Sequence, residues 1–147
     1  MADTRVQLEV EDWVRRTWMA EKFGSSFHRE RVHLSSGGVF DFDAVSPDRS
    51  IIATISTSGA RTGSGNYAVG KIMKIRSDMF FLLLTSAERR LVVLTEEDMY
   101  NQCLTEAQAG RVPPAIEFVH ARIPAELDAR LRNARTTASK EMSARLP

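Results

Sequence analysis

The feature that most constrains this chain is a pair of strand-like runs, Val39 to Ser46 and Ile51 to Ser58, on either side of Ser46-Pro47-Asp48-Arg49-Ser50. β-Branched and polar residues mix in both runs, the first adding Phe40 and Phe42, and Pro and Asp supply the turn. A β-hairpin from Val39 to Ser58 follows. With Ser46 opposite Ile51, Asp43 faces Thr54 and Asp41 faces Ser56. Phe42 then faces Ile55, Ala44 faces Ala53 and Phe40 faces Thr57. Side chains alternate across a strand, so this register predicts one apolar face that meets a helix. The other face collects Asp41, Asp43, Thr54 and Ser56. A one-residue slip would set Asp43 against Ala53 and mix the faces. The polar face is the natural place for a site. Asp41 and Asp43, two apart, suit a hard cation; the same pattern also suits the wet face of an antiparallel sheet.

The rest of the chain predicts alternating helices and strands. Val6, Val10, Trp13, Val14 and Met19 recur at helical spacing between Thr4 and Phe23, with Asp3 or Thr4 as cap and Gly24 as the stop. Phe27 to Leu34 reads as a strand. A Gly/Ser-rich loop, Gly59 to Gly65, leads into a helix from Asn66 to about Thr85, with Val69, Ile72, Met73, Arg76, Phe80 and Leu83 on one stripe. Leu91 to Leu94 is a short apolar strand. A helix from Glu96 has Thr95 as cap and Gly110 as stop; Pro113-Pro114 breaks the chain. Ile116 to Ile123 is a last strand, and Pro124 opens a final helix. The expected fold is α/β: a mixed central sheet flanked by helices, with one domain over 1–135. The tail, 136–147, lacks a sustained apolar stripe and is expected to fray.

Composition narrows the function classes. The 147 residues are 43% hydrophobic, enough for a core. The formal net charge of +1 argues against a general polyanion binder. It leaves room for a local basic surface of Arg29, Arg31, Arg61, Lys71 and Lys74, if the first strand packs near the hairpin's polar face. Arg15-Arg16 and Arg89-Arg90 read as solvated. Cys103 stands alone, so an internal disulfide or cysteine cluster is out of reach; it reads as a packed, inert thiol in a reducing compartment. Apolar runs fall well short of the ~20 residues of a membrane span, and the N-terminus has no secretory pattern. A cytoplasmic protein without a membrane partner is expected. His28, His33 and His120 read as ordinary surface or core residues. Gly65 to Lys71 matches part of a phosphate-binding loop, but Ile72 stands where a hydroxyl would reach magnesium. The loop before it suits a flexible connector, or a phosphate cradle beside a helix start.

The element order and the hairpin together resemble the restriction-endonuclease-like superfamily, the PD-(D/E)XK nuclease fold, over roughly Val6 to Ala109. The resemblance implies an αβββαβα core, here with an extra C-terminal strand and helix. It also implies an acid late in the second strand and an acid-x-Lys triplet on the third, holding Mg or Mn to activate water. Asp43 matches the first acid. The triplet falls on Thr54-Ile55-Ser56, so Thr54 stands for the second acid and Ser56 for the lysine. Glu11 or Glu21 would be the helix-one acid. Lys71 or Lys74 would take the missing lysine's role. The implied catalytic set is Asp43, Thr54, Ser56, Lys71 and Lys74. Because two of its members are neutral hydroxyls, the leading expectation is a catalytically degenerate nuclease fold with a nucleic-acid-binding or assembly role. Two alternatives stay open. One is an active, divergent Mg- or Mn-dependent DNA endonuclease with Asp41 and Asp43 as ligands. The other is a structural or protein-interaction domain. A homodimer is compatible with either.

Overall fold

The structure, a computed structural model, describes the backbone of residues 4–62 and 65–145 and the side chains as far as 137. Five strands form one sheet in the order β1-β2-β3-β4-β5: β1 (His28–His33), β2 (Val39–Val45), β3 (Ile51–Ser56), β4 (Arg89–Leu94) and β5 (Ile116–His120). The first three are antiparallel and joined by short turns; β3, β4 and β5 run parallel. Parallel neighbours need crossovers, and the crossovers are α3 (Val69–Leu83) and α4 (Glu97–Gln108). The chain is therefore a mixed α/β fold, with the expected element order.

Helices cover both faces of the sheet. Against one face, Phe42, Val45, Ile52, Val92 and Leu94 pack with Ile75 and Leu82 of α3 and Met99 and Cys103 of α4. Against the other, Ala44, Ala53, Ile55, Leu91 and Val93 pack with Val10, Val14 and Met19 of the N-terminal helix and with Leu131 of α5 (Ala125–Arg145). β4 lies inside the sheet between β3 and β5, and Leu91 to Leu94 are all buried, as a continuous apolar strand run requires. The N-terminal helix runs from α1 (Arg5–Trp13) through a π-helical segment, Val14–Trp18, into α2 (Met19–Phe23). Val10 and Val14 are four apart, and Met19 follows after five. A π turn returns to the same side after about five residues, so all three stay fully buried.

Three expectations need correction. The stripe Val69, Met73, Phe80 and Leu83 faces solvent, while Ile72, Ile75, Met79 and Leu82 face the sheet; α3 is apolar on both sides, so spacing does not tell which side is covered. Thr95 does not cap α4; its hydroxyl bonds the Ser56 carbonyl and Glu96 instead. Last, the two faces of the hairpin do not sort as an unbroken alternation would have them, for a reason that lies at Asp43.

Candidate functional site

β2 and β3 pair as expected beside the turn. Ala44 faces Ala53 and Val45 faces Ile52, and the Ser46 N–H donates to the Ile51 carbonyl at 3.0 Å. Antiparallel hydrogen-bonded pairs recur every second residue, so Ile55 should next donate to Phe42. It does not. The Ile55 N–H donates to Asp43 Oδ2 at 2.8 Å. The cause is a β-bulge: β1 pairs Glu30 with Phe42 but His28 with Val45, which sets Asp43 and Ala44 together opposite Arg29. Past the bulge β2 leaves β3, and the Asp43 carboxylate takes over the backbone donor that β2 abandons. The bulge also flips the alternation. Phe42 therefore joins the core under α3, whereas Ala44 joins the core under the N-terminal helix.

Other groups hold this opening. Arg15, in the π-helical segment, donates from Nε to the Asp43 carbonyl, and its side chain is 13% exposed; it is not a solvated residue. The Asp43 charge bears on Glu11 of α1 and on Asp78 of α3. The Glu11 carboxyl is held above its usual range, by burial first and then by Asp43; Arg15, Arg29 and Lys74 oppose the rise. Asp78 is buried and likewise raised, first by burial, with Lys74 pulling it back. Lys74 Nζ lies 2.8 Å from Asp78 Oδ1. Glu11, not the exposed Glu21, is thus the helix-one acid near Asp43. Asp78 is the member that sequence reasoning missed. Its spacing of four from Lys74 was the available signal.

The remaining expected residues are placed differently. Asp41 sits at the exposed face of β2, 3.0 Å from Arg31 across to β1, and that guanidinium holds its carboxyl below the usual range. Asp41 thus turns to β1 and Asp43 to β3, so they are no chelating pair. Thr54 is not on a wet face. It is 3% exposed, and by alternation it lies on the α3 side with Ile52. Its hydroxyl has no hydrogen-bond partner. Ser56 is half-buried, and its hydroxyl accepts the Ser58 N–H at 3.4 Å. Among the described residues no three His, Cys, Asp or Glu side chains are grouped to hold a metal ion. With Asp41 and Asp43 turned to different strands and Thr54 neutral, the residues present do not fit the divalent ion that the nuclease resemblance implies.

A buried hydroxyl without a partner costs stability, and replacing it by an apolar group of the same shape removes that cost. Thr54→Val is therefore expected to stabilise the protein by roughly 1 kcal/mol in urea denaturation. A loss of that size would show the hydroxyl to be bonded after all.

The basic residues differ in their partners. Arg31 is taken by Asp41 and Lys74 by Asp78. Arg61 lies 4.4 Å over the Tyr67 ring and donates to the Gly65 carbonyl. Arg29 and Lys71 are exposed. The loop from Gly59 closes on itself: Ala68 N–H bonds Ala60, Thr62 N–H bonds Asn66, and Gly65 N–H bonds Thr62. These three backbone donors are therefore not turned toward a phosphate; Gly63 and Ser64 lie outside the described residues. Arg90 is not solvated either, since it donates to the carbonyls of Leu82 and Thr85. Cys103 is buried as expected, and burial pushes its thiol up to about 11, with Glu106 adding to the rise. No helix among the described residues is long and apolar enough to cross a membrane. In comparisons with known proteins, no family model, curated protein or solved structure matches the chain.

Proposed function

We propose that this chain is a nuclease-fold domain that has given up metal-dependent cleavage and acts by binding, to nucleic acid or within an assembly. The observation that carries this reading is the hydrogen bond from Ile55 N–H to the Asp43 carboxylate. Asp43, to which the nuclease resemblance assigns the first acid, is holding β2 and β3 together. The triplet positions support it: a buried Thr54 and a locally bonded Ser56 bring neither negative charge for a cation nor an ammonium for a phosphate. Lys74, one of the two candidates for the lysine's role, is paired with Asp78.

The test is incubation of the full chain with plasmid and with single-stranded DNA, in magnesium and in manganese. No cleavage is expected. Metal-dependent cleavage that Asp43→Asn abolishes would overturn the reading and favour the active, divergent nuclease. The same samples separate the two kinds of binding. Contacts to phosphate release counterions, so binding to nucleic acid weakens steeply with salt, and Arg29, Arg61 and Lys71 are the exposed cations to alter first.

A further inference from the structure

Open α/β sheets bind their ligands beyond the carboxyl ends of the parallel strands. Here β3 ends at Ser56 and β4 at Leu94, and a guanidinium from α5 fills the place just past them. Arg135 gives its two terminal nitrogens different acceptors. Nη1 lies 2.6 Å from Glu96 Oε1, and Nη2 donates to the Thr57 carbonyl. Both acceptors belong to buried residues, Glu96 and Thr57 each being 8% exposed. The other oxygen of Glu96 accepts the Thr95 hydroxyl at 3.0 Å, which orients the carboxylate. A planar fork serves two fixed acceptors at once, whereas an ammonium is a single point of charge.

The end of α5 is lightly attached. Leu131 is fully buried, and Arg130 pairs with Glu9 of α1. Past Leu131, the side chains of Arg132, Asn133, Thr136 and Thr137 are exposed. Among these described residues Arg135 alone bonds outside its own helix; Arg132 pairs with Asp128, and Thr136 bonds the Arg132 carbonyl. The charges of Glu96 and Asp98, at the start of α4, also bear on Arg132. The ground under the end of α5 is therefore acidic, and one guanidinium ties the helix to it.

We infer that Glu96 and Thr57 form a guanidinium-binding site, that Arg135 is its internal occupant, and that a guanidinium-bearing ligand displaces Arg135 and frees the end of α5. The ligand is selected by what already sits in the site: two nitrogens of one planar group on a buried carboxylate and a buried carbonyl. A helix end held at one point opens without the packed body of the fold, so the exchange needs no wider unfolding. This inference does not depend on the nuclease reading.

The test uses the full chain with N-methylguanidinium as the probe and methylammonium as its control. Arg135→Ala empties the site. Its thermal midpoint is expected to rise saturably with methylguanidinium, half-maximally on the order of 1–10 mM. The parent should need at least about tenfold more, because its site is free only in molecules whose α5 end is open. Arg135→Lys keeps a cation beside Glu96, so it serves should Arg135→Ala not fold, and it is expected to respond at lower probe concentration than the parent. Adding Glu96→Gln to either variant should abolish the response. In the parent, saturation should quicken hydrogen exchange at the amides of 132–137 and leave that of Leu131 unchanged. A peptide with two arginines three apart separates the sources of the ligand: binding tighter than methylguanidinium assigns the site to a protein segment, equal binding to a small guanidinium compound. No saturable response in either variant, a response that survives Glu96→Gln, methylammonium as effective as methylguanidinium, or saturation without faster exchange at 132–137 would each overturn the proposal.

Discussion

Arg135→Met is expected to lower folding stability by about 3 kcal/mol. Arg135 reaches from α5 to the carboxyl ends of β3 and β4. Its Nη1 lies 2.6 Å from Glu96 Oε1, and its Nη2 donates to the Thr57 carbonyl. The Glu96 side chain is 9% exposed, and its other oxygen accepts the Thr95 hydroxyl at 3.0 Å. Removing the guanidinium leaves a carboxylate in the interior without its cation, and breaking such a pair from one side is what makes it costly. The low end of the usual 3–5 kcal/mol applies because Arg135 itself keeps partial access to water. The double variant Glu96→Gln/Arg135→Met should recover part of the loss, since no charge is then stranded. Urea denaturation of the two singles and the double measures this. A single Arg135→Met within about 0.5 kcal/mol of the parent would show that the pair does not hold α5 to the sheet.

Asp43→Ala is expected to cost about 1–3 kcal/mol. The loss has a specific site: the Ile55 N–H, left without an acceptor where β2 has already turned away. A buried donor stranded in this way carries its full desolvation penalty. Hydrogen exchange should therefore quicken at Ile55 more than at Ala53, whose neighbours remain paired. Equal exchange at both amides would mean that the carboxylate is not what closes the opening.

Much of this architecture was legible in the sequence because it rests on local chemistry. Pro47 and Asp48 mark the hairpin turn, and Asp48 bonds the Ser50 N–H and the Ser46 hydroxyl as a turn aspartate does. The buried run of β4 and the glycine stop at Gly24, where φ is 66°, were readable for the same reason. The site was less legible. Alternation sorts faces correctly only while a strand is regular, and one extra residue at Asp43 and Ala44 moved Phe42 to the other core. Asp41 and Asp43 look alike as i and i+2 carboxylates, but their partners are on different strands and so invisible to spacing. Arg15 and Arg135 reach main-chain carbonyls far away in sequence; no short pattern announces that.

The most direct test of the central claim is the equilibrium stability of Asp43→Asn beside Asp43→Ala, each with and without manganese. The side-chain amide of Asn keeps a carbonyl oxygen that accepts the Ile55 N–H but lacks the charge that a cation needs. A structural Asp43 predicts that Asn retains most of the stability, within about 1 kcal/mol of the parent, that Ala does not, and that manganese shifts none of the three. A manganese-dependent rise in the parent that both variants lose, with Asn no better than Ala, would contradict it.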